Sequence, residues 1–173
     1  MSLQLILTRH AKSSWDDPLA PDHARVLNAR GRDAAGRIGR WLAAEGHLPG
    51  AALVSSAART RETWALMAPH LPDAPEPQIV DALYHAGPEV MLRALKTASA
   101  PSVLMLGHNP GIAAFAVWML EKAPRHPRFA DYPTCATLVA AFDADTWADV
   151  GPGTGRAVDF VVPRDLDDDC RRA

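Results

Sequence analysis

Leu3-Gln4-Leu5-Ile6-Leu7-Thr8 runs directly into Arg9-His10, and the reading of this stretch decides the fold. A short, nearly continuous apolar run with β-branched and aliphatic residues reads as a strand buried on both faces. In an α/β sheet the carboxyl ends of strands open onto the ligand crevice. A strand ending in Arg-His therefore sets a strong cation beside a nucleophile, both facing a substrate. Taken alone, Arg9 and His10 read more simply as polar residues leaving a strand. Their weight comes from similar groups that recur after two later strands.

Outward from this strand the pattern alternates. A polar loop, Ala11 to Asn28, contains the turn signals Asp16-Asp17-Pro18 and Pro21-Asp22. A helix follows from about Gly31 to Glu45, with Ala35, Ile38 and Leu42 on one face and Gly46 as its stop. Ala51 to Ser55 is a short apolar strand, and Ser56 is the expected N-cap of a helix over Ala57 to His70, ended by Pro72. Gln78-Ile79-Val80 is a brief strand, Pro88 opens a helix to about Ala98, and Ser102 to Leu106 is a second clear buried strand. Gly107-His108-Asn109-Pro110 leads into a very apolar helix from about Gly111 to Glu121. After a proline-rich loop, Ala123 to Pro133, the segments Thr134 to Phe142 and Arg156 to Val162 read as an antiparallel pair around Gly151 to Gly153.

Strands alternating with helices indicate an α/β three-layer sandwich with a mostly parallel central sheet and one antiparallel edge. Residues 1–164 are expected to form one domain, and 165–173 a charged tail that frays. Nothing resembles a repeat or an interdomain linker.

Composition narrows the function classes. The 173 residues are 48% hydrophobic and 22% charged, with a formal net charge of -2, which argues against a general nucleic-acid or membrane-surface binder. Cys135 and Cys170 form neither a disulfide framework nor a zinc pattern and read as free thiols in a reducing compartment. The apolar start lacks the features of a signal peptide, and the longest apolar run, Ile112 to Leu120, falls far short of the ~20 residues that span a bilayer. A cytoplasmic location is expected. The histidines His23, His47, His70, His85 and His126 show no ligand spacing, so no metal is expected. Trp41, Trp64 and Trp118 fall on apolar helix faces and read as core, while Trp15 lies in the first loop.

Three βα junctions carry groups suited to a phosphoryl group: Arg9-His10, then Arg59 one turn into the helix after Ala51 to Ser55, then His108 after Ser102 to Leu106. In a parallel sheet all three lie on one edge and converge. Arginine grips phosphate with a planar fork, and helix N-termini near Ser56 and Asn109 add backbone donors and a positive dipole end. A histidine with a pKa near ~6.5 can attack while neutral or bind phosphate while charged, so two in one pocket can play different roles.

The ordered set resembles the histidine phosphatase superfamily, the phosphoglycerate mutase-like group, and within it the small SixA-type phosphohistidine phosphatases. Leu5 to His10 matches the opening strand and Arg-His motif, and Asp22-His23-Ala24-Arg25-Val26-Leu27 with Arg30-Gly31 matches the segment before the first helix. Ser55-Ser56-Ala57-Ala58-Arg59-Thr60-Arg61-Glu62-Thr63 resembles the Ser-x-x-x-Arg-x-x-x-Thr segment, and Gly107-His108-Asn109-Pro110 the second histidine motif. The resemblance implies His10 as nucleophile and a phosphate pocket of Arg9, Arg59 and His108 that stabilises transition-state charge. Arg25 is a further phosphate contact or else a surface ion pair, and Ser13 stands at a phosphate-neighbouring position by spacing.

Departures from the family pattern bear on the reaction. Ala11 stands where glycine commonly follows Arg-His, tolerable if the backbone there needs no positive φ. Asp16 stands where many relatives have asparagine, and it would repel phosphate or, with a raised pKa, donate a proton. At Leu83-Tyr84-His85 mutase-like relatives place a glutamate as general acid; here there is none, and His85 lines the site or is a surface residue. An alkoxide needs that acid to leave. An imidazole, with its pKa near ~6.5, can be protonated by water at neutral pH, so the departure favours a P–N substrate. The short loop between Tyr84 and Pro88 leaves no large lid, which suits a phosphorylated side chain on another protein.

The expected activity is therefore dephosphorylation of a protein phosphohistidine through a covalent phosphohistidine on the enzyme, releasing inorganic phosphate without metal or organic cofactor. One alternative is a small-molecule phosphomonoesterase using Asp16 or His85 as acid; another is a phosphate-binding module without turnover. Mutase activity ranks last.

Overall fold

A computed structural model describes residues 2–169. Six strands form one sheet in the order β3-β2-β4-β1-β5-β6: β1 (Ser2–Arg9), β2 (Ala51–Ser55), β3 (Pro77–Val80), β4 (Ser102–Gly107), β5 (Thr137–Asp143) and β6 (Gly155–Val161). The pairs β3/β2, β2/β4 and β4/β1 are parallel, and β5 runs antiparallel to both β1 and β6. The sheet is thus mostly parallel with an antiparallel edge, the expected architecture.

Helices cover both faces, because each central strand sends alternate side chains to opposite sides. Leu3, Leu5 and Leu7 of β1, Val103 and Met105 of β4, and Leu138 and Phe142 of β5 pack with Met91 and Leu95 of α3 (Pro88–Leu95) and Ile112, Phe115 and Met119 of α4 (Gly111–Met119). Ile6, Val54, Leu104, Leu106 and Val139 pack on the other face with Ile38 and Leu42 of α1 (Ala29–Ala44) and Trp64 and Met67 of α2 (Ala58–Met67). Chain leaving β1 goes to one face as α1, and chain leaving the adjacent β4 goes to the other as α4. The cleft between them, at the carboxyl ends of β1 and β4, is the place where such sheets bind ligands.

Several local expectations need correction. Ser56 does not cap α2: Ala57 is the N-cap residue, with no side-chain cap bond, and the Ser56 hydroxyl lies 2.9 Å from His23 Nε2 instead. Regular α-helix ends at Met67, followed by a 3-10 turn over Ala68–His70, and α3 stops at Leu95. Strand β5 begins at Thr137 rather than Thr134, because Cys135 has a positive φ of 63°. Trp118 is not core; with Val117 it is exposed on α4, while Trp147, between β5 and β6, is buried and donates to Ala100 O at 2.7 Å.

The charged tail divides. Asp165–Asp169 is a short helix, α5, where fraying was expected: Leu166 packs on the α1–α2 side of the core and Asp167 pairs with Arg37. Residues 170–173, with Cys170, lie outside the described residues. Cys135 is a free thiol whose burial pushes its pKa up to about 12. Among the described residues no helix is long and apolar enough to cross a membrane.

Candidate active site

Strand register brings the two histidines together. Arg9 of β1 is paired with Gly107 of β4, so the residues that follow, His10 and His108, leave adjacent strand ends side by side. Their ring centroids are 5.2 Å apart, and His10 N–H donates to Gly107 O at 3.1 Å. Arg59, in the first turn of α2, is buried beside them. The three βα junctions singled out in the sequence therefore meet.

His10 Nδ1 lies 2.7 Å from the carbonyl oxygen of Ala11. A carbonyl can only accept, so Nδ1 carries the proton and Nε2 keeps its lone pair. Burial holds the His10 pKa down to about 4, aided by the charges of Arg59, Arg9 and Arg25 and opposed by the bond to Ala11. His10 is consequently neutral at pH 7, with a free nucleophilic nitrogen. Burial lowers His108 to about 3, with His10, Arg59 and His85 adding to the effect. Its Nε2 is 2.7 Å from Ser55 Oγ, while Nδ1 is buried without a hydrogen-bond partner, as is Arg9 Nε. Burial, then Arg59, lowers the Arg9 pKa. Clustered cations with unpaired buried nitrogens are what a multi-oxygen anion satisfies.

The mouth is built from loops. Asp22, in a 3-10 turn over Asp22–Ala24, accepts from Arg59 through its backbone oxygen at 2.8 Å and through Oδ2 at 3.1 Å. Oδ2 also accepts from the Tyr84 hydroxyl, and Oδ1 accepts from Arg25 Nη1 at 3.2 Å. The Tyr84 hydroxyl, then the arginines, hold Asp22 down to about 2 against the opposing effect of burial. Arg25 also donates to Ser13 Oγ at 2.5 Å and to Ser14 O at 3.2 Å, and its guanidinium lies 3.3 Å over the Trp15 ring. Ser13 and Arg25 are thus joined to each other and, through Asp22, to Arg59. His85 has a φ of 56° and lies against Tyr84, with ring centroids 4.0 Å apart. With His108, Asn109 and Pro110 it lines a cavity of about 250 Å³. Asp16 is exposed, and none of the site's hydrogen bonds involves its side chain.

Positioning residues outside the sequence-derived set complete the site. Thr63 Oγ1 accepts from Ala11 N–H at 3.0 Å and donates to Arg59 O at 2.7 Å, tying the chain after His10 to α2. Ala11 is not among the residues with positive φ, so the alanine in place of glycine is accommodated. Glu62 Oε2 accepts from Leu27 N–H at 2.9 Å and anchors the first loop. Tyr132 O accepts from Arg9 Nη1 and Asn109 Nδ2, both at 3.1 Å, bridging the two motifs. At Gly111 a Cβ would lie 1.8 Å from Ala86 O, so only glycine lets α4 approach the loop that carries His85. The sequence motif contained Thr63 and Asp22, but their partners are 52 and 62 residues away and spacing alone does not pair them.

Comparison with known proteins gives the family and the fold. Residues 5–85 match the family model of the histidine phosphatase superfamily, branch 1. The uncharacterized protein Rv1276c of Mycobacterium tuberculosis is 34% identical over 163 residues, covering 90% of this chain and 99% of that one. Among solved structures, a protein assigned as phosphohistidine phosphatase SixA from Agrobacterium tumefaciens is similar at a TM-score of 0.76 and 26% identity, over 93% of this chain and 98% of that one. Another so assigned, from Nakamurella multipartitia, is similar at 0.75 and 26% identity, over 94% and 97%. By its match through the opening motifs and a relative of this identity over nine-tenths of its length, the chain belongs to the histidine phosphatase superfamily.

Proposed function

We propose that the protein is a phosphohistidine phosphatase that removes the phosphoryl group from a histidine on another protein. His10 Nε2 attacks phosphorus in line, the P–N bond breaks, and the phosphoryl group resides on His10 until water releases it as inorganic phosphate. Arg9, Arg59 and His108 take up the charge on the phosphoryl oxygens, with Arg25 and Ser13 steadying the rim. An incoming dianion raises the His108 pKa, so that ring becomes a better donor as the phosphoryl group arrives.

The observation that carries this reading is the state of the carboxyl group at the mouth. Asp22 is held ionised, near a pKa of about 2, by Tyr84 and the arginines. It has no proton to give to an alkoxide, which disfavours an ester substrate. An imidazole needs no such acid, because its second ring nitrogen can already carry a proton at neutral pH. The approach, bordered by loops rather than a helical lid, suits a side chain on a protein, and two similar structures bear the SixA assignment. For the ester phosphatase alternative the exposed Asp16, whose side chain joins none of the site's hydrogen bonds, and His85, which lines the cavity beside His108, are the groups that could serve as acid.

The test offers the purified protein a phosphohistidine-bearing carrier protein beside a panel of phosphate esters. The expected result is a higher kcat/KM for phosphohistidine; markedly faster ester cleavage overturns the proposal.

A further inference from the structure

In-line displacement puts the leaving group on the side of phosphorus opposite His10. His10, Arg59 and His108 are buried at the bottom of the pocket, so the leaving group points outward, past the half-exposed rim. Four side chains meet there. Tyr84 is central: the His23 ring packs edge-on at 4.8 Å, the His85 ring lies at 4.0 Å, and the hydroxyl donates to Asp22. A carboxylate offers about four acceptor positions. Oδ2 uses its two on Tyr84 and Arg59, and Oδ1 uses one on Arg25. One acceptor position remains on Oδ1, the oxygen that faces Arg25, while the Tyr84 and His85 rings on the Oδ2 side offer flat faces suited to a heterocycle.

We infer that Asp22 accepts the ring N–H of an imidazole leaving group and so selects P–N over P–O substrates, with Tyr84 and His85 packing against the departing ring. The inference rests on the phosphohistidine reading and assigns the leaving-group side of the same site. In the substrate the phosphoryl group is on one ring nitrogen and a proton on the other. As the His10 Nε2–P bond forms, the P–N bond breaks and its electron pair returns to the ring. Imidazole leaves neutral, keeping the N–H that Asp22 accepts. No proton is added at the scissile nitrogen.

A carboxylate at that N–H favours the protonated, reactive ring at pH values above ~6.5, where a free ring loses its proton. The other charged and titratable groups around Asp22 are Arg25 on its own loop, Arg59 on α2, and Tyr84 and His85 on the loop before α3, with His85 Nε2 at 3.9 Å. His23 adjoins it in sequence, and His108 lies behind Tyr84 at 5.5 Å between ring centroids. The Tyr84 hydroxyl, then the arginines, keep the carboxylate ionised throughout the working range.

The experiment measures kcat/KM for free phosphohistidine and for p-nitrophenyl phosphate, whose phenolate leaves without a proton. The unaltered protein and Asp22→Asn are compared about one unit below and above the imidazole pKa of ~6.5. The amide is isosteric, and the bond from Arg59 to the backbone oxygen is kept. The expected result is a loss of about tenfold to a hundredfold on phosphohistidine above that pKa, a smaller loss below it, and on the ester only a smaller, pH-independent loss from the weakened contact to Arg59. Ester turnover that persists, even when reduced, also shows that the variant folds. An equal, pH-independent loss on both substrates assigns Asp22 to positioning Arg59 alone and overturns the inference while the phosphohistidine reading stands. Unchanged phosphohistidine turnover in the variant overturns it likewise. No phosphohistidine turnover by the unaltered protein overturns both.

Discussion

On the floor of the pocket, His10, Arg59 and His108 are 7%, 6% and 5% exposed and hang from strand ends or the first turn of α2. On the rim, the side chains of Asp22 and His85 are 46% and 65% exposed and hang from loops. The floor is held by strand pairing: each histidine is fixed by the register of β1 against β4, Thr63 locks the backbone after His10, and the backbone oxygen of Tyr132 holds the Arg9 side chain. The rim is held by side chains that hold one another, Asp22 linking Arg59, Arg25 and Tyr84. On the proposed reading the floor takes the phosphoryl group whatever carries it. Selectivity for what is attached to that group falls to the rim, where loops can change without disturbing the sheet.

Perturbing the floor has the largest effect. His10→Ala removes the proposed nucleophile and is expected to lower turnover by about 10⁴-fold or more on both phosphohistidine and ester substrates. Phosphate release measures it, and retained activity would mean that another group attacks. Arg59→Lys is next: a point charge replaces the fork that serves both phosphate and Asp22, with an expected loss of about 10²- to 10³-fold in kcat/KM.

The low pKa of His10 separates the floor from a solvent-exposed histidine. The neutral ring is the reactive form, so the limb of kcat/KM that reports His10 stays flat from neutral pH downward and falls only near pH 4. A fall centred on ~6.5 would indicate an unperturbed imidazole and break the contrast with the rim. The same shift bears on stability. Between the unfolded value of ~6.5 and the folded value of about 4 the unfolded chain binds the extra proton, so stability is full above that window and declines as pH falls through it. Thermal denaturation across this range should show the decline, and a His108→Asn variant should lose part of it.

Thr63→Val removes the acceptor for Ala11 N–H, costs about 1–3 kcal/mol and should lower Tm by several degrees, with kcat falling as His10 loosens. The smallest effect belongs to Asp16→Asn, expected to leave kcat/KM within about twofold because Asp16 is an exposed loop residue whose side chain joins none of the site's hydrogen bonds. A large change there would move the rim's working carboxylate from Asp22 to Asp16.

Much of the floor is legible in the chain itself. The apolar runs before Arg9-His10 and Gly107-His108 specify strands, α/β alternation makes them parallel, and parallel strands present their following residues on one edge. Element ends are less legible, because they depend on distant groups: β5 starts late at the positive φ of Cys135, and Ser56 turns from capping α2 to His23. The rim was hardest to read. Asp16 and Asp22 are both acidic loop residues after β1, and local sequence gives no ground to prefer one.

The sequence by itself determined the three phosphate-suited junctions and their order, which follow from residue type and strand periodicity within a short window, and the want of a glutamate after Leu83, which the family resemblance makes meaningful. Only the tertiary structure decided that His10 is neutral with its proton on Nδ1, that Thr63 braces Ala11, and that Asp22 is the carboxylate joined to Arg59, Arg25 and Tyr84. Those outcomes depend on burial and on partners from different elements brought together by packing, and neither distance nor dielectric is written in the spacing of residues along a chain.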